Sequence, residues 1–513
     1  MAKLNLEQLK ERIAKAKANK ALWESHLREC YEYALPERNT IDQWSVGSKK
    51  REKVFDDTAV EALEDFANRC VALLVPPSTK WMELEAGSEI PEEAEDEINQ
   101  YLEESTETLF SHLDSSNFTS QIHDSFLDLG ISTGAIIVEE GDGIQSALNF
   151  RSVSLSELIL EKSSRGIVET VFREFKIPAK DIKSTWTRAK LTNDLKRIIK
   201  DNPTEEIELI EGVIKEGNGF KSILLYVKED KILMEESLDF SPYIIFRESV
   251  IPGEVMGRGR VMRQLNNIKT LNRMKQDYLK GLSFQANPIF TATDDGIINP
   301  YTIKLAPGTI APVGTNDSSN PTLRPLPMSG NPQLIDFAIR DLQDAIRRSL
   351  LSKPFGQIDE TPVRTATEMS IRNADMAQTS LSASSRIQVE LLERVVANCV
   401  NILKRAGKIA DFKVNGKEVA IKFVNPSTRQ QDEAELAAYG RFMEFMQGLP
   451  PEVVMQKIRI EEFPVNIADT LGLPESIKRT EMEMQQMAQQ QQQMAQQQMM
   501  AEQQAAMSQQ PQG

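Results

Sequence analysis

The chain is 513 residues long, 40% apolar and 27% charged, which gives room for two to four domain-sized cores of ordinary soluble character. Its 60 Lys+Arg against 76 Asp+Glu leave a net charge of −16. That excludes a protein that grips DNA over most of its surface, because such affinity comes from Lys and Arg displacing counterions.

Residues 5–34 predict an amphipathic helix: Leu22, Trp23, His26, Leu27, Cys30, Tyr31 and Ala34 recur at three- and four-residue steps, and Pro36 stops the run. The first residues are charged from Lys3 onward and lack the apolar core of a signal peptide. A second helix is expected at about 57–74, closed by Pro76 and Pro77. Its apolar run Cys70–Val75 is far too short to span a bilayer, so a soluble protein without a membrane partner is expected. A third helix, about 91–113, is acidic. Residues 89–107 hold nine Asp/Glu and no Lys or Arg, which reads as a solvated face or as a surface that repels DNA.

From about 134 the apolar period shifts to alternation. AIIVEE, ALNFRSV, ELILEK and IVETVFREF read as strands, with a helical piece near 178–200. Residues 207–238 then read as a hairpin meander with Asn218-Gly219 at its turn. GNGFKS in that meander approaches a P-loop, but Asn218 stands where lysine is required and the context is strand to strand, so a hairpin is expected and no nucleotide site. Cys30, Cys70 and Cys399 lie far apart, and His26, His112 and His123 form no HxxxH or HExxH spacing. Buried free thiols are expected, with no metal, no cofactor and no enzymatic activity.

Two helices of about 20 residues follow, at 261–282 and from Pro332 to Leu351, the second with Asn331 as N-cap. They flank a proline-rich segment containing β-like pieces such as PIFTAT, an arrangement that suggests a stalk carrying a small head. After Ser352–Arg364 comes a run free of Pro and Gly from the capping box Thr365-x-x-Glu368 to Gly407, long enough for one helix of about 60 Å. Its section Ala377–Arg386, poor in large apolar residues, is a place for a kink or a packed partner. FKVNGKEVAIKFV reads as a strand pair with Asn-Gly at the turn, and helices resume from about 431 to 480. The Gln- and Met-rich end from Glu481 is either disordered or, if many copies are held in parallel, a helical barrel.

The sharpest local question is Gly257-Arg258-Gly259-Arg260. It lacks the third glycine of a dinucleotide fingerprint. Its flank is nevertheless unusual, with Arg258, Arg260, Arg263, Lys269, Arg273, Lys275 and Lys280 against the single acid Asp277. A face balanced by acidic neighbours, a phosphate-facing surface and a subunit-bridging surface all remain open readings.

Four blocks in order then carry a resemblance. They are YALPERNTIDQWSVGSKKREKVFDDTAVEALEDFANRCVALLVPPSTKWMELEAG, SSNFTSQIHDSFLDLGISTGAIIVEEGD, SPYIIFRESVIPGEVMGRGRVMRQLNNIKTLNRMKQDYL and RTATEMSIR. With the Gln-rich end, the sequence resembles the head-to-tail connector, or portal, proteins of short-tailed T7-like bacteriophages over nearly its whole length. Arg260 departs from the pattern, since many relatives carry proline there.

The resemblance implies an α+β, predominantly helical portal fold. Residues 1–260 would be the wing, 261–283 and 332–351 the two stem helices, and 284–331 the clip. Residues 352–364 would form the tunnel loop, 365–427 a long wing helix with a hairpin, 428–480 the crown and 481–513 the tail. It further implies a homo-oligomeric ring of twelve copies at one capsid vertex, passing double-stranded DNA without sequence specificity during packaging and ejection. The implied partners are a terminase motor docked on the clip, a tail adaptor, the major capsid protein and the scaffold. Lys353 and Arg364 on the loop become candidate DNA-backbone contacts, with Arg347 and Arg348 facing lumen or neighbour; Arg258, Arg260, Arg263, Lys269, Arg273 and Lys275 become DNA or subunit contacts. A channel-less scaffold or adaptor is the rival reading; a packaging ATPase would need a P-loop.

Overall fold

The computed structural model describes residues 6–42, 47–85, 92–143, 145–163, 166–217, 219–293, 310–313, 323–325, 332–352, 385–409, 420–423, 439–442 and 467. About half of the structure is helical and the rest mixes strands and connections, so the fold is a mixed α/β one. The chain divides into two compact units, 1–77 with 113–402 and 78–112 with 403–513.

In the first unit, α1 (Leu6–Ala34) lies along an antiparallel five-stranded sheet. Its strands, in spatial order, are β4 (Leu158–Lys162), β5 (Val168–Pro178), β6 (Glu206–Glu216), β7 (Gly219–Tyr226) and β8 (Lys231–Leu238). Strand alternation splits the apolar residues between two faces. Leu9, Ile13 and Ala16 of α1 pack with Ile159, Phe172, Ile210, Ile214, Ile223 and Leu225 on one face. Ile182 of α5 (Ile182–Thr185) and Leu195 and Ile198 of α6 (Asn193–Asp201) cover Ile207, Leu209, Leu224 and Tyr226 on the other. Each fully buried Leu, Ile or Phe there contributes roughly 1.5–3 kcal/mol. Lys10–Asp230, Arg12–Glu161 and Lys17–Glu174 pin α1 at 2.9, 2.8 and 2.6 Å. These half-exposed pairs set register more than stability.

The β6–β7 hairpin corrects the expected turn by one residue. Glu216 pairs with Gly219, so the connection is 217–218, and Gly217 takes the positive φ of +59° that a tight hairpin demands. Residue 218 itself lies outside the described residues.

A second antiparallel sheet, β3 (Leu148–Ser152), β2 (Thr133–Glu140) and β9 (Tyr243–Arg247), is fed directly by α4 (Phe118–Ile131). α4 packs on α2 (Thr58–Leu74), and Phe126 meets Phe246 edge-on at 5.9 Å. Then α7 (Arg260–Ala286) and α8 (Pro332–Ser349) pack together as a helical hairpin. Between them in sequence, β10 (Phe290–Thr293) pairs in parallel with β11 (Ile310–Val313) and antiparallel with β12 (Leu323–Pro325). The expected N-cap Asn331 lies outside the described residues.

The expected long helix is described only from residue 385. A π turn, Gln388–Leu392, leads into α9 (Glu393–Arg405). The capping box at Thr365 and most of Ala377–Arg386 are outside the described residues. Gly407, at φ +67°, donates to the Lys404 carbonyl, and Lys408 donates to the Leu403 carbonyl. This closes α9 with a Schellman motif.

In the second unit, α3 (Glu92–Asp114) accompanies a two-stranded sheet of β1 (Met82–Glu85) and β13 (Ala420–Phe423). Its register is Met82↔Phe423 through Glu85↔Ala420, so β13 finds its described partner more than 300 residues away in β1. The expected local partner around Asn415-Gly416 is outside the described residues, as are the C-terminal tail and nearly all of 428–480.

Candidate nucleic-acid interface

The Gly257–Arg260 loop is a packing junction. Its backbone donors are spent internally: Gly257 N–H on Thr133 Oγ1 at 2.9 Å, Arg258 N–H on the Ser249 carbonyl at 2.9 Å, Gly259 N–H on the Ile131 carbonyl at 3.1 Å. A phosphate cradle needs such N–H groups free. The glycines instead let two backbones touch. A Cβ on Gly259 would stand 2.3 Å from the Gly130 oxygen, and one on Gly257 would stand 2.6 Å from the Ser132 oxygen. Ser132 Oγ completes the clamp by donating to the Gly257 carbonyl at 2.7 Å. The loop therefore welds the α4–β2 corner to the start of α7.

The arginines beside it are paired in the same way. Arg258 makes a bidentate pair with Glu254 at 2.8 and 2.6 Å and lies over Trp23. Arg260 meets the nearly buried Glu248, donates to the Ser349 carbonyl at 2.9 Å and lies over Phe66. It thus ties the C-terminal end of α8 to the N-terminal end of α7. Arg263 shares Glu248 at 3.3 Å, and Lys269 reaches Glu29 of α1 at 3.0 Å. Further along, Arg273 and Lys280 share Asp277 at 3.0 and 3.8 Å. Six of the seven cations thus face four carboxylates, and with Lys275 the run keeps a local excess of three positive charges. Lys275 makes no ion pair among the described residues. One thiol lines this junction, half-buried where a buried one is expected: desolvation, with Glu248 beside it, pushes the Cys70 thiol up to about 12, against the smaller opposing effect of Arg260.

At the other end of α8, Arg347 reaches Glu61 of α2 at 3.7 Å, whereas Arg348 is exposed and makes no ion pair among the described residues. The helix ends in another Schellman closure, but with Leu351 in the left-handed position at φ +58°. Ser352 is fixed to α2, its carbonyl accepting from Arg69 at 2.8 Å and its hydroxyl bonding Asp65. Lys353 and Arg364 lie outside the described residues.

Two buried ionic hubs have no local sequence signature. Asp128 accepts from Tyr31 at 2.6 Å and from Arg38 at 3.0 Å, yet complete burial raises its pKa above the ordinary carboxylate value. Glu390, on the π turn, accepts from the Arg247 backbone N–H at 2.9 Å and from its guanidinium at 2.8 Å. The π turn adds one residue to the helix where this carboxylate docks on the edge of β9.

Among the described residues no group of three or more His, Cys, Asp and Glu could hold a metal, and no helix is long and apolar enough to cross a membrane. The arrangement defines a welded junction at the root of a helical hairpin, with modest residual positive charge. The chain belongs to the bacteriophage head to tail connecting proteins, whose family model matches residues 6–478. That membership gives it a portal role in the general sense, in the virion at the capsid and in association with capsid and tail. No curated protein matches the chain significantly.

Proposed function

We propose that this protein is the portal of a short-tailed, T7-like phage. Twelve copies form a ring at one capsid vertex, and double-stranded DNA passes through its channel during packaging and ejection. The observation that carries this reading is the family match across 6–478, together with a hairpin of two helices, of 27 and 18 residues, with a small three-stranded sheet in the connection between them. On this reading α7 and α8 are the stem, 284–331 the clip on which a terminase motor docks, and 352–364 the tunnel loop. Residues 1–260 and 365–427 make the wing, 428–480 the crown and 481–513 the tail beyond it. A tail adaptor, the major capsid protein and the scaffold are its other partners.

The protein works as a passive conduit without cofactor or catalysis. Each copy brings a net charge of −16, so an acidic lumen keeps phosphates centred. Sparse cations such as Lys353, Arg364 and Arg348 touch the backbone briefly. Tight contact would stall movement, because every neutralised phosphate adds affinity.

Electron-microscopic class averages of the purified protein test the reading: rings with a central hole are expected, and a persistent monomer under every assembly condition would refute it. Removing both charges at Lys353 and Arg364 is expected to impair packaging or retention of DNA. Wild-type genome retention in that double variant would remove the two residues from the DNA path. ATP hydrolysis by the purified protein would count against the passive role.

A further inference from the structure

The five-stranded sheet ends in an uncovered edge. β4 pairs with β5 on one side only. Glu174 of β5 donates its backbone N–H to the Glu157 carbonyl at 2.9 Å, and past the bulge Ser163 donates to the Ile167 carbonyl at 2.8 Å. In an antiparallel ladder the residues between such bonded positions turn their N–H and C=O the other way. Glu157, Ile159 and Glu161 therefore face β5, while Leu158, Leu160 and Lys162 turn outward. The outward backbone groups of Leu160 and Lys162 find no partner among the described residues. Such an edge is a template for another strand, and chains ordinarily cover or blunt it.

Here the edge forms one wall of a cleft of about 580 Å3, closed on its other sides by α1 and by the segment from Gly253 to Arg258. That volume lies in the range of sites that enclose a ligand. Leu160 and Lys162 line the cleft itself, and Leu158 lines a narrower extension of about 20 Å3, room for a single water.

The lining specifies a chemistry. Leu22 and Trp23 of α1 supply apolar surface, and Leu22, 82% exposed, is the most exposed large apolar side chain among the described residues. Both carboxylates of the lining are already neutralised, Glu161 by Arg12 at 2.8 Å and Glu254 by Arg258 at 2.6 Å. Lys15 and Lys162 have no ion pair among the described residues, so the cleft keeps two positive charges in a chain of net charge −16.

We propose that this cleft docks an extended acidic segment of another protein, added as a sixth strand on the outer edge of β4. Its carboxylates meet Lys15 and Lys162, and an apolar side chain covers Leu22 and Trp23. In this mode the main chain supplies affinity and alternate side chains choose the partner. A helix has no free main-chain groups to offer the edge. A nucleic-acid strand would satisfy the ammoniums but carries no matching row of N–H and C=O groups.

The test uses the full chain and an end-blocked, fluorescein-labelled peptide, Asp-Val-Glu-Leu-Asp-Val-Glu, followed by fluorescence anisotropy. Saturable binding is expected, and hydrogen exchange read by mass spectrometry should slow over 158–162 while β8, the opposite edge of the sheet, is unchanged. Lys15→Glu combined with Lys162→Glu is expected to weaken binding at least tenfold, and Leu22→Ser, at an exposed position, at least threefold, with folding checked by circular dichroism. Methylating the internal nitrogens of the peptide removes its donors without changing its charge and is expected to abolish binding. No saturation below about 1 mM would overturn the proposal. So would binding that survives methylation or leaves exchange at 158–162 unaltered. Binding by the unassembled chain but not by the assembled one would give the edge to a neighbouring copy and also overturn it.

Discussion

At the scale of single residues, glycine and lysine do the least obvious work. Gly259 is required because a carbonyl and a peptide carbon occupy the space a Cβ would need, at 2.3 and 2.4 Å. Gly259→Ala is therefore expected to cost about 2–3 kcal/mol, read as a lowered urea midpoint. Gly281, in α7 with nothing near its Cα hydrogens, should behave oppositely: Gly281→Ala gains up to about 1 kcal/mol in the same measurement. Lys20 carries a different strain. Its ammonium donates to the Ser156 carbonyl, but burial draws its pKa down to about 8, against the opposing pull of Glu174 and Glu24. The folded value lies below the unfolded 10.5, so between about pH 8 and 10.5 the unfolded chain holds more protons and stability rises with pH. Lys20→Met should remove that rise, seen by comparing urea denaturation near neutrality with denaturation near the upper edge of the window. An unchanged pH dependence would place the cost elsewhere.

At the scale of elements, the fold is held by side chains from one element satisfying the ends and edges of another. Glu390 is the clearest case. It caps the Arg247 N–H on the edge of β9 and neutralises a guanidinium that is 3% exposed, with Arg386 standing 4.0 Å away. Glu390→Ala leaves those cations without their carboxylate and is expected to cost about 3 kcal/mol. Thermal unfolding measures it; a change below about 0.5 kcal/mol would show that the π turn holds without this pair. Arg260 does the same for the hairpin root, tying Glu248 to the last turn of α8. Its guanidinium closes two helix ends together, a role that needs a side chain with more than one donor.

At the scale of the whole molecule, charge is distributed so that attraction stays inside the protomer. The basic run that stands out in an acidic chain is mostly consumed by Glu254, Glu248, Glu29 and Asp277. On the proposed function, the assembled protein should therefore bind a short DNA duplex only weakly at physiological salt, with a Kd above the micromolar range and a shallow salt dependence. Fluorescence anisotropy of a labelled duplex reads this directly. Sub-micromolar affinity would mean a continuous cationic surface, which the paired residues do not offer.

Much of this was legible in one dimension because it depends on local periodicity. α1, α2, α3, α7 and α8 fall within a few residues of their expected limits, since three- and four-residue apolar steps and proline stops act over a few residues. The meander was equally readable, although its turn shifted by one position because strand pairing, not the Asn-Gly dipeptide, sets the register. Identities beyond local reach were not. Glu29, Glu390 and Asp128 look like surface carboxylates in the sequence, and β13 looks like half of a local hairpin, yet each has its partner in a distant segment. The sequence by itself determined which stretches could be helix or strand, and that no phosphate-binding glycine motif was complete. Only the tertiary structure decided that the glycines serve backbone contact and that most of the basic residues are already neutralised. Charge compensation and close approach are properties of pairs brought together in space, and spacing along a chain does not encode them.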